Sequence, residues 1–418
     1  KPLLQIYKAL ILSKIEYGSF LFHNTKHKYL QMIDIIHNSG LRISIGAFKS
    51  SPCSSIYYIA GMPSLQIRRL QNVMTTASKR ALNNLKVMEN IKDTLKKINF
   101  SYAGMITREN ALVPPWTAEI NINTEINLLP KNSTLPHTYR QYFLQIRKHF
   151  KDFTEIYTDG SKSDKGVGAA VTYQDTEIML KLPNDCSIYT AEAQAIIQAI
   201  DLIKNKNIQK AIIFSDSLST LMSIKNSFRP NEAARIIQNQ IYKLQKENTI
   251  VKIIWIPSHT NITGNERADT LAKEAIESQN ATPCQVYSIT DIKQIIKKII
   301  FNIWQNEWKT SNTKLNEIKN HILPWPNNTL TRKEEVVINR LRIGHTRLTH
   351  TYLMKKEDPP TCLKCKDPMT IKHILTDCRK YELHRQKFNI THHLAENLNV
   401  DTTNILKFLR DTELYKTL

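Results

Sequence analysis

Between residues 154 and 278 the hydrophobic pattern changes from helical spacing to short apolar runs that alternate with amphipathic stretches. The pattern predicts strands at 155–158, 167–173, 176–182, 211–215 and 250–256, and helices at 190–204, 217–226, 231–247 and from Ala268 to Ile276. The order βββαβαβα within about 125 residues describes an α/β fold, a mixed five-stranded sheet with helices packed on it.

Four acidic side chains fall at predicted strand ends or helix starts, namely Asp159, Glu192, Asp216 and Asp269. Gly160 predicts a sharp turn that leaves the Asp159 carboxylate beyond the strand, outside the ladder. Glu192 is expected in the first turn of its helix, and Asp216 directly after the fourth strand. Asp269 is expected one turn into the last helix, with Asn265 as a candidate cap.

These positions allow the four acids to meet at one edge of the sheet. A single acid is usually a solvated surface residue, but four gathered carboxylates repel one another unless cations lie among them. Oxygen ligands of this kind suit hard divalent ions. The sequence therefore predicts a site for a pair of Mg²⁺ ions, for which Mn²⁺ can substitute.

The segments Tyr157-Thr-Asp-Gly160 and His259-x4-Gly264-Asn265-Glu266-x-Ala268-Asp269 resemble the type 1 ribonuclease H family. The resemblance covers about residues 154–278 and implies that family's fold. It implies that the four acids bind metal and that His259 is a catalytic histidine. Candidate substrate contacts are Gly160, Ser161, Ser217 and Asn265.

Two features depart from the family pattern. The segment between Asp216 and Asp269 lacks the Lys/Arg-rich insertion with which some members grip the hybrid. The stretch 187–190 lacks an asparagine that some members place near the ribose. Substrate grip is then expected from the flanking regions.

The resemblance implies a metal-dependent endonuclease that hydrolyses the RNA strand of RNA–DNA hybrids, with recognition of the 2′-OH. A non-catalytic nucleic-acid-binding fragment derived from a retroelement remains the alternative. A related integrase or transposase is disfavoured, because such enzymes typically use three acids.

Charge is distributed unevenly along the chain. The net charge of +21 comes from the flanks, since residues 1–150 carry 20 basic and 7 acidic side chains and residues 281–418 carry 23 and 14. Residues 151–280 carry 15 basic and 16 acidic side chains. Basic flanks around a neutral centre favour binding of RNA, DNA or a hybrid. No run of about 18 apolar residues suggests a membrane span.

Residues 1–109 are expected to be helical, with helices at 3–22, 27–45 and 64–87, the last capped by Ser64. A Pro-bearing linker and a short helix fill 110–150 and precede the domain at 151–280. The segments Ile15-Glu-Tyr-Gly18 and Arg340–Leu348 resemble the C-terminal part of a non-LTR retrotransposon polyprotein, with residues 1–109 as its thumb-like region. An element of this kind would act in the cytoplasm and the nucleus. Lys1 in place of Met indicates a fragment or a processed product.

Residues 281–418 are expected to form a basic helical region with a Cys/His cluster. The six cysteines of the chain are too few for a disulfide scaffold and indicate a reducing compartment. The candidate ligands of one Zn²⁺ are Cys362, Cys365, His373 and Cys378. A reduced cysteine pair beside an unrelated histidine is the alternative.

Overall fold

The computed structural model describes residues 2–117, 120–128, 134–326 and 330–418. The chain divides into two compact units. Residues 75–296 form the sheet unit, and residues 2–74 together with 297–418 form the helical unit. Part of the predicted linker, including Pro130, and Lys1 lie outside the described residues.

Nineteen α-helices occur in the described residues, and a π-helical stretch, Lys8–Leu12, joins the first two. They are α1 (Pro2–Tyr7), α2 (Ser13–Glu16), α3 (His27–Ile45), α4 (Cys53–Ala60), α5 (Leu65–Leu82), α6 (Glu89–Lys97), α7 (Pro136–His149), α8 (Ile188–Asn205), α9 (Leu218–Lys225), α10 (Glu232–Lys246), α11 (Thr263–Glu274), α12 (Ile289–Lys309), α13 (Lys314–Ile318), α14 (Arg332–Ile343), α15 (Arg347–His350), α16 (Tyr352–Lys355), α17 (Glu382–Lys387), α18 (Leu394–Leu398) and α19 (Thr403–Asp411).

The predicted helix at 3–22 ends earlier, at Glu16, and Gly18 takes a positive φ of 66° beyond it. The predicted helix at 64–87 is α5, and its cap is present because Ile67 N donates to Ser64 Oγ over 3.4 Å. The sequence did not predict α4 and α6. Their short apolar stretches give too few turns for a clear helical period.

The sheet unit is built on a mixed sheet. Its strands are β1 (Ile122–Asn123), β2 (Thr154–Ser163), β3 (Gly166–Tyr173), β4 (Thr176–Leu182), β5 (Lys210–Ser215), β6 (Ile250–Trp255) and β7 (Thr282–Pro283). They lie in the order β1-β6-β5-β2-β3-β4-β7. Strands β2, β3 and β4 form the predicted antiparallel meander, and the other neighbours pair in parallel.

The predicted α/β architecture is confirmed, but the sheet has seven strands where five were predicted. The two extra strands have two residues each and pair with the edge strands β6 and β4. One of them, β1, comes from the stretch that the sequence predicted to be a linker. Two residues are too few to produce an alternating pattern in the sequence.

Each face of the sheet carries its own core. Ile156 of β2 packs with Ile196 of α8 and Ile237 of α10, all fully buried. Tyr157 points to the opposite face and packs with Phe143 of α7 and Ala268 of α11. Side chains alternate along a strand, so Asp159 lies on the α11 face.

Two apolar clusters can be assigned to the helical unit within the part of the chain that the structure describes. One centres on Trp308, whose ring stacks on Tyr58 with centroids 4.5 Å apart. The other surrounds Leu375 and Phe408 and includes Cys362. None of the described helices has the length and apolar character needed to cross a membrane.

Candidate active site

Asp159 lies inside β2, where it pairs with Ala170 of β3. The predicted turn at Gly160 is wrong, because β2 continues to Ser163. Gly160 serves a different purpose. A Cβ built on it would lie 2.8 Å from Glu192 N, so only a glycine lets α8 approach the strand this closely.

Glu192 and Asp216 approach Asp159 from two other elements. Helix α8 begins at Ile188, two residues earlier than predicted, so Glu192 lies beyond its first turn. Asp216 follows the last residue of β5, as predicted. Strand β5 is parallel to β2, with Ser215 opposite Thr158. Asp159 inside β2 and Asp216 just beyond β5 therefore each follow one member of this pair.

Carboxylate oxygens of Asp159, Glu192 and Asp216 lie within 4.8 Å of one another. Burial, followed by the charge of Asp216, raises the pKa of Asp159 to about 8. Burial and the charges of Asp159 and Asp216 raise the pKa of Glu192 well above its ordinary value. The pKa of Asp216 is also raised, chiefly by burial. The fold thus holds three acids where ionisation is unfavourable without a compensating cation.

Asp269 lies on α11 and completes the set of four acids. Its charge contributes to the raised pKa of both Asp159 and Asp216. Ligand atoms of Asp269, His259 and Glu266 also lie within 4.8 Å of one another. Asp269 therefore belongs both to the buried acids and to a more exposed group beside them.

The donors present fit a divalent metal ion. Glu192 Oε2 is buried and has no hydrogen-bond partner among the described residues, and the same holds for Asn265 Oδ1. A buried carboxylate oxygen without a partner is costly, and a hard cation would satisfy it. Asn265 does not cap α11, since Ile262 occupies that position. Its Nδ2 lies 3.4 Å from Asp216 Oδ2 instead.

His259 lies in the loop between β6 and α11, with an exposed side chain and a φ of 55°. The loop is held on both sides of it. Thr260 Oγ1 donates to Pro257 O over 3.0 Å, and Asn261 N donates to Glu266 Oε1 over 3.3 Å. The imidazole lies beside the acids, within 4.8 Å of ligand atoms of Glu266 and Asp269.

The candidate substrate contacts differ in their surroundings. Gly160 and Asn265 adjoin the acids, as described above. Ser161 follows Gly160 on β2 and is half-buried. Ser217 lies at the start of α9, where its Oγ is 2.8 Å from Thr220 Oγ1.

Sequence reasoning missed Lys273, whose Nζ lies 2.6 Å from Asp269 Oδ2. The sequence does contain the pattern that predicts this ion pair, because an acid and a lysine four residues apart on a helix lie on the same face.

The Cys/His cluster assembles in the helical unit. Ligand atoms of Cys362, Cys365, His373 and Cys378 lie within 4.8 Å of one another. The Sγ of Cys378 is 3.7 Å from that of Cys362 and 3.9 Å from that of Cys365. His373 Nε2 is buried without a hydrogen-bond partner among the described residues.

Local donors favour the thiolate form of Cys362, whereas burial raises the pKa of Cys378 to about 11. The backbone N–H of Cys365 and the His373 side chain lower the pKa of Cys362 to about 6. Arg379 N donates to Cys365 Sγ over 3.4 Å. Three sulfurs and an unpartnered imidazole nitrogen at such distances fit a tetrahedral Zn²⁺.

Comparisons with known proteins concern the sheet unit. A family model described as RNase H matches residues 151–277. Human Ribonuclease H1 is 29% identical over 142 residues, which cover 29% of this chain and 50% of the human protein. Ribonuclease H1 of Rattus norvegicus is 30% identical over 138 residues, 28% of this chain and 48% of the rat protein. The chain thus spans about half the length of these curated relatives.

A solved structure of RNase H1 from Halobacterium salinarum is 22% identical, covers 30% of this chain and 97% of its own, and has a TM-score of 0.25. The family match contains all four acids and His259. Residues 151–277 are therefore a ribonuclease H domain.

Proposed function

We propose that this chain is a metal-dependent endonuclease that hydrolyses the RNA strand of RNA–DNA hybrids. One observation carries the proposal. The buried carboxylates of Asp159 and Glu192 converge within 4.8 Å with the half-buried carboxylate of Asp216, and one oxygen of Glu192 has no partner among the described residues. Such an arrangement is unfavourable unless it binds cations.

Asp159, Glu192, Asp216 and Asp269 would hold two Mg²⁺ ions, with Mn²⁺ as a substitute. When bound, such ions lower the pKa of a water for attack on the phosphodiester and stabilise the leaving 3′ oxygen. The protein's part is to keep the acids in place through the backbone of β2 and the close contact at Gly160.

His259 would transfer protons at the open side of the site. Its side chain is exposed, and its ring lies beside Asp269 and Glu266. An imidazole in contact with solvent and beside the acids is placed to move protons during the reaction.

Binding of the nucleic acid would draw on the basic flanks. The helical unit supplies basic side chains, although Arg68 is paired with Glu16, and Arg69 lies 3.4 Å from Asp34. Several lysines and one arginine surround the Cys/His cluster, namely Lys364, Lys366, Lys372 and Arg379. A Zn²⁺ held by Cys362, Cys365, His373 and Cys378 would order this basic segment.

The retrotransposon origin is a further part of the proposal. It is supported by the motifs of the flanks, Ile15-Glu-Tyr-Gly18 and Arg340–Leu348, beside the ribonuclease H domain. It predicts an in-frame polymerase domain encoded upstream of residue 1. Genomic sequence without polymerase motifs at that position would contradict the origin and leave the nuclease proposal intact.

The activity is tested with labelled RNA–DNA hybrid, double-stranded RNA and double-stranded DNA, each with and without Mg²⁺. We expect cleavage of the RNA in the hybrid only, dependent on Mg²⁺, and a loss of at least about 100-fold in Asp216→Asn. Asp201→Asn on α8 is the matched control and should cleave normally. Binding of the hybrid without metal-dependent cleavage would contradict the proposal and favour the non-catalytic alternative.

A further inference from the structure

Asp291 is a buried carboxylate outside the ribonuclease H domain. It lies in the first turn of α12 and is 1% exposed. The family match ends at residue 277, fourteen residues earlier. No ion pair joins Asp291 to a basic side chain among the described residues, so its buried carboxyl oxygens depend on hydrogen bonds.

Part of that stabilisation is local to α12. Ser288 N donates to Asp291 Oδ2 over 2.9 Å, and Asp291 N donates to Ser288 Oγ over 3.1 Å. The pair forms a capping box at the start of the helix. These two hydrogen bonds by themselves would only stabilise the start of α12.

The remaining contacts reach α8. Ser187 N donates to Asp291 Oδ1 over 2.9 Å, and Thr190 Oγ1 donates to Asp291 Oδ2 over 2.6 Å. Ser187 is the N-cap of α8. One carboxylate therefore accepts hydrogen bonds at the N-terminal ends of two helices, where a negative charge is favoured.

Two further hydrogen bonds join the residues just before Asp291 to the ribonuclease H domain. Cys284 N donates to Lys181 O over 2.9 Å, and Cys186 Sγ donates to Val286 O over 3.1 Å. The stretch 282–291 thus runs along the end of β4 and the start of α8.

Glu192 lies two residues after Thr190 on this helix, and its carboxylate must meet those of Asp159 and Asp216. We propose that Asp291 is a positioning residue of the metal site, which fixes the first turn of α8 and thereby the place of Glu192. The proposal rests on the proposed metal-dependent function. If Asp291 has this role, residues 282–291 contribute to the metal site although they follow the matched domain.

The test compares full-length wild type with Asp291→Ala and Asp291→Asn. Asn retains one acceptor oxygen and loses the other. The concentration of Mg²⁺ at half-maximal hybrid cleavage should rise about 10-fold in Asp291→Ala and less in Asp291→Asn. The KM for hybrid should stay unchanged, and excess Mg²⁺ should restore kcat. The matched control is Asp201→Asn, an acid on α8 that accepts a hydrogen bond from Gln240.

Calorimetric titration with Mg²⁺, without substrate, supplies a second readout. Weaker Mg²⁺ binding in the Asp291 variants than in the wild type would support the positioning role. A wild type that binds Mg²⁺ but cleaves no hybrid would contradict the nuclease activity alone. Unchanged Mg²⁺ midpoints in folded Asp291 variants would overturn the positioning role. If Asp291→Ala does not fold, the positioning role is tested with Thr190→Val. This change removes the hydrogen bond from Thr190 Oγ1 to Asp291 Oδ2 at nearly constant side-chain volume. We expect a rise of about 2- to 3-fold there, and an unchanged midpoint would overturn the proposal.

Discussion

Lys273 Nζ lies 2.6 Å from Asp269 Oδ2, so the fourth acid of the site has a counter-ion one helical turn away. The hydrogen bond to Asp269, together with the charge of that residue, raises the pKa of Lys273. Lys273 therefore neutralises part of the negative charge that would otherwise attract a metal ion.

Lys273→Met should lower the Mg²⁺ concentration at half-maximal cleavage, by about 2- to 5-fold, the range expected for a partly exposed ion pair. Lys165→Met is the control, since it removes a pair of the same length, 2.6 Å, with Glu277. A higher Mg²⁺ midpoint in Lys273→Met would show that the lysine assists metal binding.

Metal-free Asp159→Asn should be more stable than the metal-free wild type at pH 8. Burial and Asp216 raise the pKa of Asp159 to about 8. The folded state then binds more protons than the unfolded state between about pH 4 and 8, so the wild type loses stability as pH rises through that window. We expect a gain of about 1–2 kcal/mol, seen as a melting temperature several degrees higher.

Addition of Mg²⁺ should reverse this order, because the ion stabilises the wild type and binds the variant weakly. Asp201→Asn serves as the control. Equal metal-free melting temperatures for wild type and Asp159→Asn would argue against repulsion at the site.

Gly160→Ala should impair both folding and cleavage. The added Cβ would lie 2.8 Å from Glu192 N and 3.0 Å from Ala191 Cβ, and backbone cannot move as freely as a side-chain end. We expect a loss of about 1–3 kcal/mol of unfolding free energy and at least about 10-fold in kcat.

Gly166→Ala on the same hairpin is the milder control, since its nearest contact is the Ile276 Cγ2 side-chain atom at 3.0 Å. Denaturant titration and cleavage assays measure both quantities. Full activity in Gly160→Ala would show that α8 tolerates displacement.

The Cys/His cluster should bind one Zn²⁺ per chain, measurable by elemental analysis of purified protein. Removal of zinc with a strong chelator, or Cys378→Ser, should lower the melting temperature of the helical unit, because metal binding contributes to its folding. Cys53→Ser changes a half-buried cysteine elsewhere in that unit and is the control. Protein without zinc but with unchanged melting would support the alternative of a reduced cysteine pair.

The helical unit should lose stability as pH falls from 6.5 to about 4. His37 is buried, and its Nδ1 lies 2.6 Å from Tyr7 Oη. Burial, followed by Arg68 and Arg69, lowers the pKa of His37 from 6.5 to about 4. In this window the unfolded state takes up a proton that the folded state does not, at a cost on the order of 3 kcal/mol.

His37→Gln should flatten this pH dependence in denaturant titrations, whereas the change of the exposed His27 to Gln should preserve it. An equally steep loss in His37→Gln would place the titrating group elsewhere.

Much of the sheet unit was predictable from the sequence, because its evidence is local. Strand and helix periods are set by neighbouring residues, and so the meander, α8 and α10 could be identified. The positions of Asp216 after β5 and Asp269 on α11 followed from the same pattern. Short elements such as β1, α4 and α6 carry too few residues for a period, and the sequence did not reveal them.

The residue types of the site, four acids and a histidine, were thus determined by the sequence alone. Only the tertiary structure placed Asp159 inside the ladder, brought Gly160 against Glu192 and joined Asp291 to the start of α8. These relationships depend on distances between segments far apart in the chain, up to 104 residues for Asp291 and Ser187. Close packing of the folded chain sets such distances, and local propensity carries no information about them.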